Sequence, residues 1–414
     1  MGFEDSIRLI YGEDFSDAQI RRYKRAGKEF QRIFSVKPDF FFTAPGRTEL
    51  CGNHTDHNNG LILAAGVNLD AIAAVSENNS GFIRVFSNTF NSLFEIQLSS
   101  LEFNKREEGT TEALMRGVAF KAADSGYSVR GFNAYIDSLV PVGSGLSSSA
   151  SFEVLLVTII NWLFNAGNID EIEQAKIALY AENNYFGKPC GLMDQITCAV
   201  GGILKIDFEV PDKPGIEKIN FRFKKYQLCI VKTGGNHSDL TKHYSLIPEE
   251  MRLTASFFNK NVCREITLPQ FLGSIPELRK SIGDRAILRC YHFLEENRRV
   301  DRAVSALKNN NISEYLESIN ESGSSSFRYL QNCYIPEDFE NQNIPLAIAL
   351  TESYNAGNGA GRIHGGGFAG TIQAYILKER FGEYRRYMEK IYGKGSVIPL
   401  RIREYGTLNL DSVV

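Results

Sequence analysis

Ten residues constrain this 414-residue chain more than any others: Pro141-Val142-Gly143-Ser144-Gly145-Leu146-Ser147-Ser148-Ser149-Ala150. They stand between an alternating run, Gly131 to Leu139, that reads as a strand, and the clearest helix signal in the sequence. In that helix Phe152, Leu155, Leu156, Ile159, Ile160 and Leu163 fall at i, i+3, i+4, i+7, i+8 and i+11, which makes one apolar face. Ser147, Ser148 and Ser149 are suited to its N-cap. The first N–H groups of a helix lack intrahelical partners and carry the positive end of its dipole, so a Gly-rich turn entering such a helix is an anion site. Its hydroxyls add donors or a metal ligand. A tight strand-to-helix turn with serine caps also accounts for the loop taken alone. No Walker A loop occurs, because Gly187-Lys188 is followed by Pro189 and Gly393-Lys394 by Gly395. A dinucleotide fingerprint fails at Ser148, and the H-R-D and D-F-G tripeptides of protein kinases are missing.

The rest of the chain sets the class. Its length suggests two or three domains at about 150 residues each, and 43% apolar with 23% charged residues is ordinary globular usage. Lys and Arg total 46 against 49 Asp and Glu, a net charge of −3 that gives no general attraction to nucleic acid or anionic membrane. Seven Cys without a C-x-x-C pair argue for a reducing compartment, and the N-terminus lacks a signal-peptide pattern, so a cytoplasmic protein is expected. The patterns predict a helix over 16–34 and strands at Phe40–Thr43, Leu61–Ala65, Asp70–Val75, Phe82–Phe86 and Leu93–Leu98. Helices follow at 111–124, 170–184 and 192–200, and a strand at 203–209. Pro211 to Gly215 is the best linker candidate. Strands near 218–223 and 226–232 lead into a mostly helical stretch to about 356. A strand at 371–377, a helix at 380–392 and a strand at 396–404 finish the chain. The sum is an α+β protein of two domains, 1–215 and 216–414.

Three further polar patches stand out. Gly46-Arg47 through His54, Asp56 and His57 to Gly60 packs Arg, Asp and His between glycines after a strand. Such a loop offers donors and acceptors to a polyol, although an Asx turn or a loose His-x-x-His metal site are other uses. Gly187-Lys188-Pro189-Cys190-Gly191-Leu192-Met193-Asp194-Gln195 places an acid at the start of an apolar helix, where it could simply be an N-cap. Gly359 to Thr371 is dense in glycine, which suggests either close approach to a ligand or a packed β-turn.

Together the four patches resemble the GHMP family of small-molecule kinases, and within it most closely the galactokinases. The family's P-x-G-S-G-L-S-S-S-A stands unbroken at Pro141 to Ala150; its G-R-x-N-x-x-G-E-H-x-D is matched at Gly46, Arg47, Gly52, His54 and Asp56. Its G-I-M-D-Q is met at Gly191 to Gln195 with Leu192 for Ile, and its third motif at 359–371. The resemblance implies an N-terminal domain like domain 2 of ribosomal protein S5, a ferredoxin-like C-terminal domain, and an active site between them. It implies Asp194 as catalytic acid-base residue with Arg47 as its partner. Asn53, His54, Asp56, Gly191 and Tyr244 would contact a sugar, while Gly143, Ser144, Gly145, Leu146, Ser147, Ser148 and Ser149 would hold ATP. Ser149 and Glu182 would bind Mg²⁺. The implied reaction is phosphorylation of the anomeric hydroxyl of galactose, with no nucleic-acid or membrane partner. Three positions depart from the pattern: Asn53 stands for Glu, Glu49 for Asn, and His364 for Thr or Ser. Since Glu at the first of these reaches the sugar's C6 end, Asn53 raises a uronic acid such as galacturonate as an alternative substrate. A catalytically silent sugar sensor and a nicotinamide-dependent oxidoreductase are the remaining alternatives.

Overall fold

The computed structural model describes residues 2–234 and 240–412; Met1, residues 235–239 and residues 413–414, which belong to the two expected domains, lie outside it. Among the described residues twelve strands form two sheets. The first contains β1 (Phe40–Cys51), β2 (Leu61–Glu77), β3 (Phe82–Ser87), β4 (Ser92–Gln97), β5 (Phe132–Ser138), β6 (Ile203–Asp207) and β7 (Gly215–Ile219), joined by β12 (Leu408–Asn409). Its order is β12-β1-β2-β5-β3-β4, with β6 pairing β2 and β7 pairing β6. The second is β11-β8-β10-β9, all antiparallel, from β8 (Tyr226–Gly234), β9 (Ala360–His364), β10 (Gly370–Leu377) and β11 (Val397–Leu400).

Side-chain alternation along β2 covers the first sheet on both faces. Ala71, Ala73 and Val75 pack under the helices Thr111–Asp124, Ser148–Phe164 and Glu171–Ala181, whereas Ile72 and Ala74 meet Ile7, Tyr23 and Phe30 of the N-terminal helices Phe3–Tyr11 and Glu13–Phe34. The helix Ser148–Phe164 is more deeply set than its predicted stripe. Glu153, Val154, Val157, Thr158 and Asn161 are buried too, so it runs through the core rather than along its edge. One core joins the sheets: Leu50, Leu63 and Ala65 of the first pack with Leu228, Ile230 and Tyr375 of the second and with Val300, Tyr315 and Ile319 of two helices, Asp284–Lys308 and Ile312–Ser325.

The predicted elements survive with three instructive differences. The two runs at Leu61–Ala65 and Asp70–Val75 are one long strand. Pro211 to Gly215 turns β6 into β7 inside the first sheet, so the change of sheet comes between Ile219 and Tyr226 and not at residue 215. The expected strand at 396–404 ends at Leu400; beyond it the chain crosses back, and Arg403 donates to the buried Asp70 carboxylate at 2.8 Å. Asp70 also accepts from Arg22 at 2.6 Å and Thr43 at 2.8 Å, which ties both chain ends to β1 and β2. No helix among the described residues is long and apolar enough to cross a membrane.

Candidate active site

Arg47 follows a bulge in β1, where the register with β2 shifts between Pro45 and Arg47. Gly46 is required there, since a Cβ would stand 2.8 Å from the Leu146 carbonyl oxygen, to which the Arg47 N–H donates at 3.1 Å. The bulge thus seats β1 against the Gly-rich loop and aims the guanidinium across it. Its Nε and Nη2 each donate to one oxygen of Asp194 at 2.6 Å, a fork-to-fork pair, and Nη1 donates to the Gly145 carbonyl. Asp194 is the second residue of the helix Met193–Val200. Burial raises its carboxyl, but the Arg47 charge outweighs that and holds it below its ordinary value, so it is ionised at neutral pH.

Ser147 does not act as the expected cap. It adopts a left-handed φ of 57° and sends its hydroxyl to Asp194 Oδ2. The helix Ser148–Phe164 therefore begins without a side-chain cap, and its first helical bond is Ser151 N–H to the Ser147 carbonyl. The amides ahead of Ser151 are left facing the loop, where an anion can take them. Such strain in a polar residue is tolerated where the surroundings over-determine it.

At the second residue of the helix, Ser149 Oγ donates to Glu182 Oε1 at 2.8 Å. Glu182 opens a single π-helical turn, Glu182–Phe186, that continues Glu171–Ala181 and carries the carboxylate toward the loop. Lys188 Nζ lies 2.8 Å from the same oxygen, while Oε2 accepts from Gln195 at 2.7 Å and Cys190 at 3.1 Å. Behind them Glu153 is wholly enclosed; burial, then the charge of Glu182, pushes its carboxyl well above its ordinary value. One carboxylate and one hydroxyl are hard oxygen donors of the kind Mg²⁺ takes alongside phosphate oxygens, and the Lys188 ammonium marks the spot as one where positive charge is welcome. Among the described residues no cluster of three His, Cys, Asp or Glu could hold a metal by itself.

The remaining predicted residues gather on the other side of Arg47. His54, at φ 57°, donates from Nε2 to the Gly366 carbonyl at 2.8 Å. Burial and His57 push its value down to about 4, so the ring is neutral and Nδ1 is left as an acceptor. Gly191 gives way to Asp56, whose Oδ2 would lie 2.0 Å from a Cβ there. Tyr244 donates to the Gly367 carbonyl at 3.0 Å with its ring against Gly366.

Asn53 departs from its expectation as a sugar contact. Its side chain is buried, donating to Glu49 Oε1 at 3.2 Å and the Gly365 carbonyl at 2.9 Å, and accepting from Asn332 at 2.7 Å. Glu49 in turn is paired with the fully buried Arg362 at 2.7 Å. The acid and amide of the family pattern have exchanged places across a contact, so the carboxylate has moved and has not been lost. The case for a uronic-acid substrate rested on Asn53 facing the sugar, and its amide is instead spent inside the protein.

Sequence reasoning missed the scaffold under this loop. Glu296 Oε1 accepts the Gly52 and Asn53 amides at 3.0 and 3.4 Å, and His292 bonds the Asn53 carbonyl at 2.9 Å. Both come from the helix Asp284–Lys308, where they look like any polar residues of an amphipathic pattern. Lys188 and Gln195 stood inside a recognised motif, yet nothing in the spacing announced their bonds to Glu182. The strand β9 inside the glycine-dense stretch was missed because five buried residues leave no alternation to read.

Comparisons with known proteins agree with this geometry. The family model for the GHMP kinases N terminal domain matches residues 112–202, and the galactokinase galactose-binding signature matches residues 28–77. Over these residues the chain is similar to the GHMP kinases. Among the relatives it matches, the galactokinase of Clostridium tetani is 28% identical over 378 residues, covering 89% of this chain and 91% of the relative. That of Staphylococcus saprophyticus is 29% identical over 381 residues, covering 88% and 93%. The Lactococcus lactis galactokinase structure complexed with galactose superposes with a TM-score of 0.81 at 22% identity, covering 93% of this chain and 99% of that one. A Methanococcus jannaschii mevalonate kinase superposes less closely, at 0.61 and 17% identity over 87% and 98% of the two chains. The GHMP fold is therefore the α+β architecture expected from sequence.

Proposed function

We propose that this GHMP kinase is an ATP-dependent galactokinase, transferring the γ-phosphoryl group of ATP to the anomeric hydroxyl of galactose to give galactose 1-phosphate and ADP. The observation that carries the reading is the meeting of an ionised Asp194, gripped by Arg47, with the uncapped start of the helix Ser148–Phe164. Galactokinases among the curated relatives, matched over most of both chains, supply the substrate.

Residues 143–149 and the free helix amides hold the triphosphate. The sugar lies against His54, Asp56, Gly191 and Tyr244, with His54 Nδ1 accepting from one of its hydroxyls. Asp194 accepts a hydrogen bond from the attacking hydroxyl and orients it. Because phosphoryl transfer passes through a loose transition state, little proton removal is needed early, and an acid with a depressed value serves as a late acceptor. Ser147 and Arg47 keep the carboxylate turned to the cleft, and Arg47 offsets charge that grows on the transferring group. Ser149 and Glu182 would hold Mg²⁺, which neutralises phosphate charge when bound. The cytoplasm, where ATP is abundant, is the proposed compartment. An intact Arg47–Asp194–Ser147 constellation gives no support to a silent sensor, and no dinucleotide cradle supports an oxidoreductase. A coupled ADP-release assay with Mg²⁺ across hexoses and uronic acids tests the reading: galactose-dependent release is expected, and preference for galacturonate would overturn it.

A further inference from the structure

His364 sits where the family pattern has Thr or Ser, and its surroundings fix what it does. It ends β9 opposite Thr371 of β10, nearly sealed from solvent. Its Nε2 is 2.9 Å from Thr48 Oγ1 of β1, and its Nδ1 is 3.2 Å from Thr371 Oγ1. The direction of each bond follows from its neighbours. Gln373 Nε2 donates to Thr48 Oγ1 at 2.7 Å, so the Thr48 proton is free to point at His364 Nε2, its only acceptor among the described residues. At the other end Thr371 donates to the Ser144 carbonyl at 3.3 Å, so its oxygen must accept from His364. The ring is therefore the neutral Nδ1–H tautomer. Burial, then the charges of Arg47 and Arg362, disfavours its protonation, with Asp194 the opposing charge; the value is driven down to about 3.

The ring also serves as a floor. A Cβ on Gly145 would stand 2.9 Å from His364 Nδ1, so the loop rests on the imidazole with no space between. The same Gly145 carbonyl accepts from Arg47.

We infer that His364 is a positioning residue for the triphosphate loop: a one-way hydrogen-bond relay, Gln373 to Thr48 to His364 to Thr371 to the Ser144 carbonyl, carries the register of the second sheet into the height of residues 144–145 above Arg47. The inference rests on the proposed nucleotide role of that loop. It predicts an unequal pair of substitutions. His364→Asn keeps a donor close to the Nδ1 position and can still reach Thr371, whereas His364→Gln places its amide at the Nε2 end and leaves Thr371 without its donor. Losing one buried hydrogen bond corresponds to about a fivefold to tenfold change in an equilibrium.

The test has two arms on the full-length protein. In wild type, ¹⁵N NMR of the histidines is expected to show one ring locked as Nδ1–H between pH 5 and 8; no such ring, or only rings that titrate near the free value, overturns the inference. In steady-state assays His364→Gln is expected to raise KM for ATP about fivefold to tenfold while His364→Asn stays within about threefold, with KM for the sugar moving less than KM for ATP in both. Equal behaviour of the two variants, or a KM for ATP that does not move in folded protein, overturns it. Wild-type ADP release measured alongside separates the outcomes: if wild type does not use ATP, the functional reading fails, and if it does while the variants behave alike, only the relay fails.

Discussion

The two sides of Arg47 solve the same problem in opposite ways. On the phosphate side the polar groups are left partly unspent: helix amides without a cap, a serine hydroxyl turned away from its helix, a carboxylate facing the cleft. On the sugar-loop side the polar groups of Asn53, Glu49, His292 and Glu296 are spent inside the protein, and the buried Arg362 spends Nη2 on Glu49 while its Nε and Nη1 have no partner among the described residues. An anion with many oxygens is best met by backbone donors held ready. A small polyol is instead met by a loop whose shape cannot drift, and that loop is stiffened from beneath by buried charge. Chemistry should therefore be sensitive on the first side, and shape and stability on the second.

The largest effect expected is on the open side. Asp194→Asn keeps the hydrogen bond from Ser147 but removes the charge that orients and finally accepts the proton, so kcat should fall about 10²–10⁴-fold. KM for galactose should change little. Near-normal turnover in a coupled assay would erase the contrast, because among the described residues no other acid is paired with Arg47.

Glu296→Gln probes the closed side. Glu296 accepts from Gly52 and Asn53 and pairs with Arg299, whose other acid partner among the described residues is Glu321 at 3.8 Å. Breaking a buried pair costs about 3–5 kcal/mol, so the urea midpoint should drop sharply and KM for galactose should rise, while kcat at saturating sugar stays within a few-fold. A fall in kcat matching that of Asp194→Asn would mean the two sides are not separable.

The histidines give a pH test with a definite sign. His54 is driven to about 4 and His364 to about 3, and His292 is lowered by burial as well. An unfolded chain takes up protons as pH falls through about 6.5, while the folded protein does not, so the stability these rings contribute is complete above that pH and is lost as pH falls below it. The slope can reach about 1.4 kcal/mol per pH unit for each ring. Two of the three lie under or on the sugar loop, and His292→Gln should flatten the urea-midpoint profile between pH 6.5 and 5. Glu153, held well above its ordinary value, contributes the opposite slope, so the test is the comparison: a profile unchanged in His292→Gln would show that this ring does not stay neutral.

How much was legible from sequence follows the same division. The phosphate side lives in contiguous backbone: Gly143 to Ser149 and the helix after it are local, and their spacing admitted an anion site as well as a serine-capped turn. The catalytic pairing of Arg47 with Asp194 needed the family resemblance, since the two residues are 147 positions apart. The closed side was largely illegible. Glu296 and His292 support Gly52 and Asn53 across more than 200 positions, and Asn53 looked like a ligand because its residue type is right for one. Only the fold reveals that Glu49, Gly365 and Asn332 take its amide. The sheet boundary was misplaced for a related reason: Pro211 to Gly215 has linker composition, but a hairpin turn has the same composition.

The smallest effect expected concerns Ser147, where the two strategies touch. Its left-handed φ of 57° costs a non-glycine residue about 1 kcal/mol, and the hydroxyl gives one hydrogen bond to Asp194. Ser147→Gly relieves the backbone and removes the hydroxyl; Ser147→Ala removes the hydroxyl and keeps the strain. Both should lower kcat about fivefold, the net worth of one typical hydrogen bond. Their stabilities should differ, with the glycine variant equal to wild type or up to about 1 kcal/mol above it, and the alanine variant below both. If glycine proved the less stable of the two, the left-handed turn would not be a strain held for catalysis. The open side of the site would then be as relaxed as the closed one.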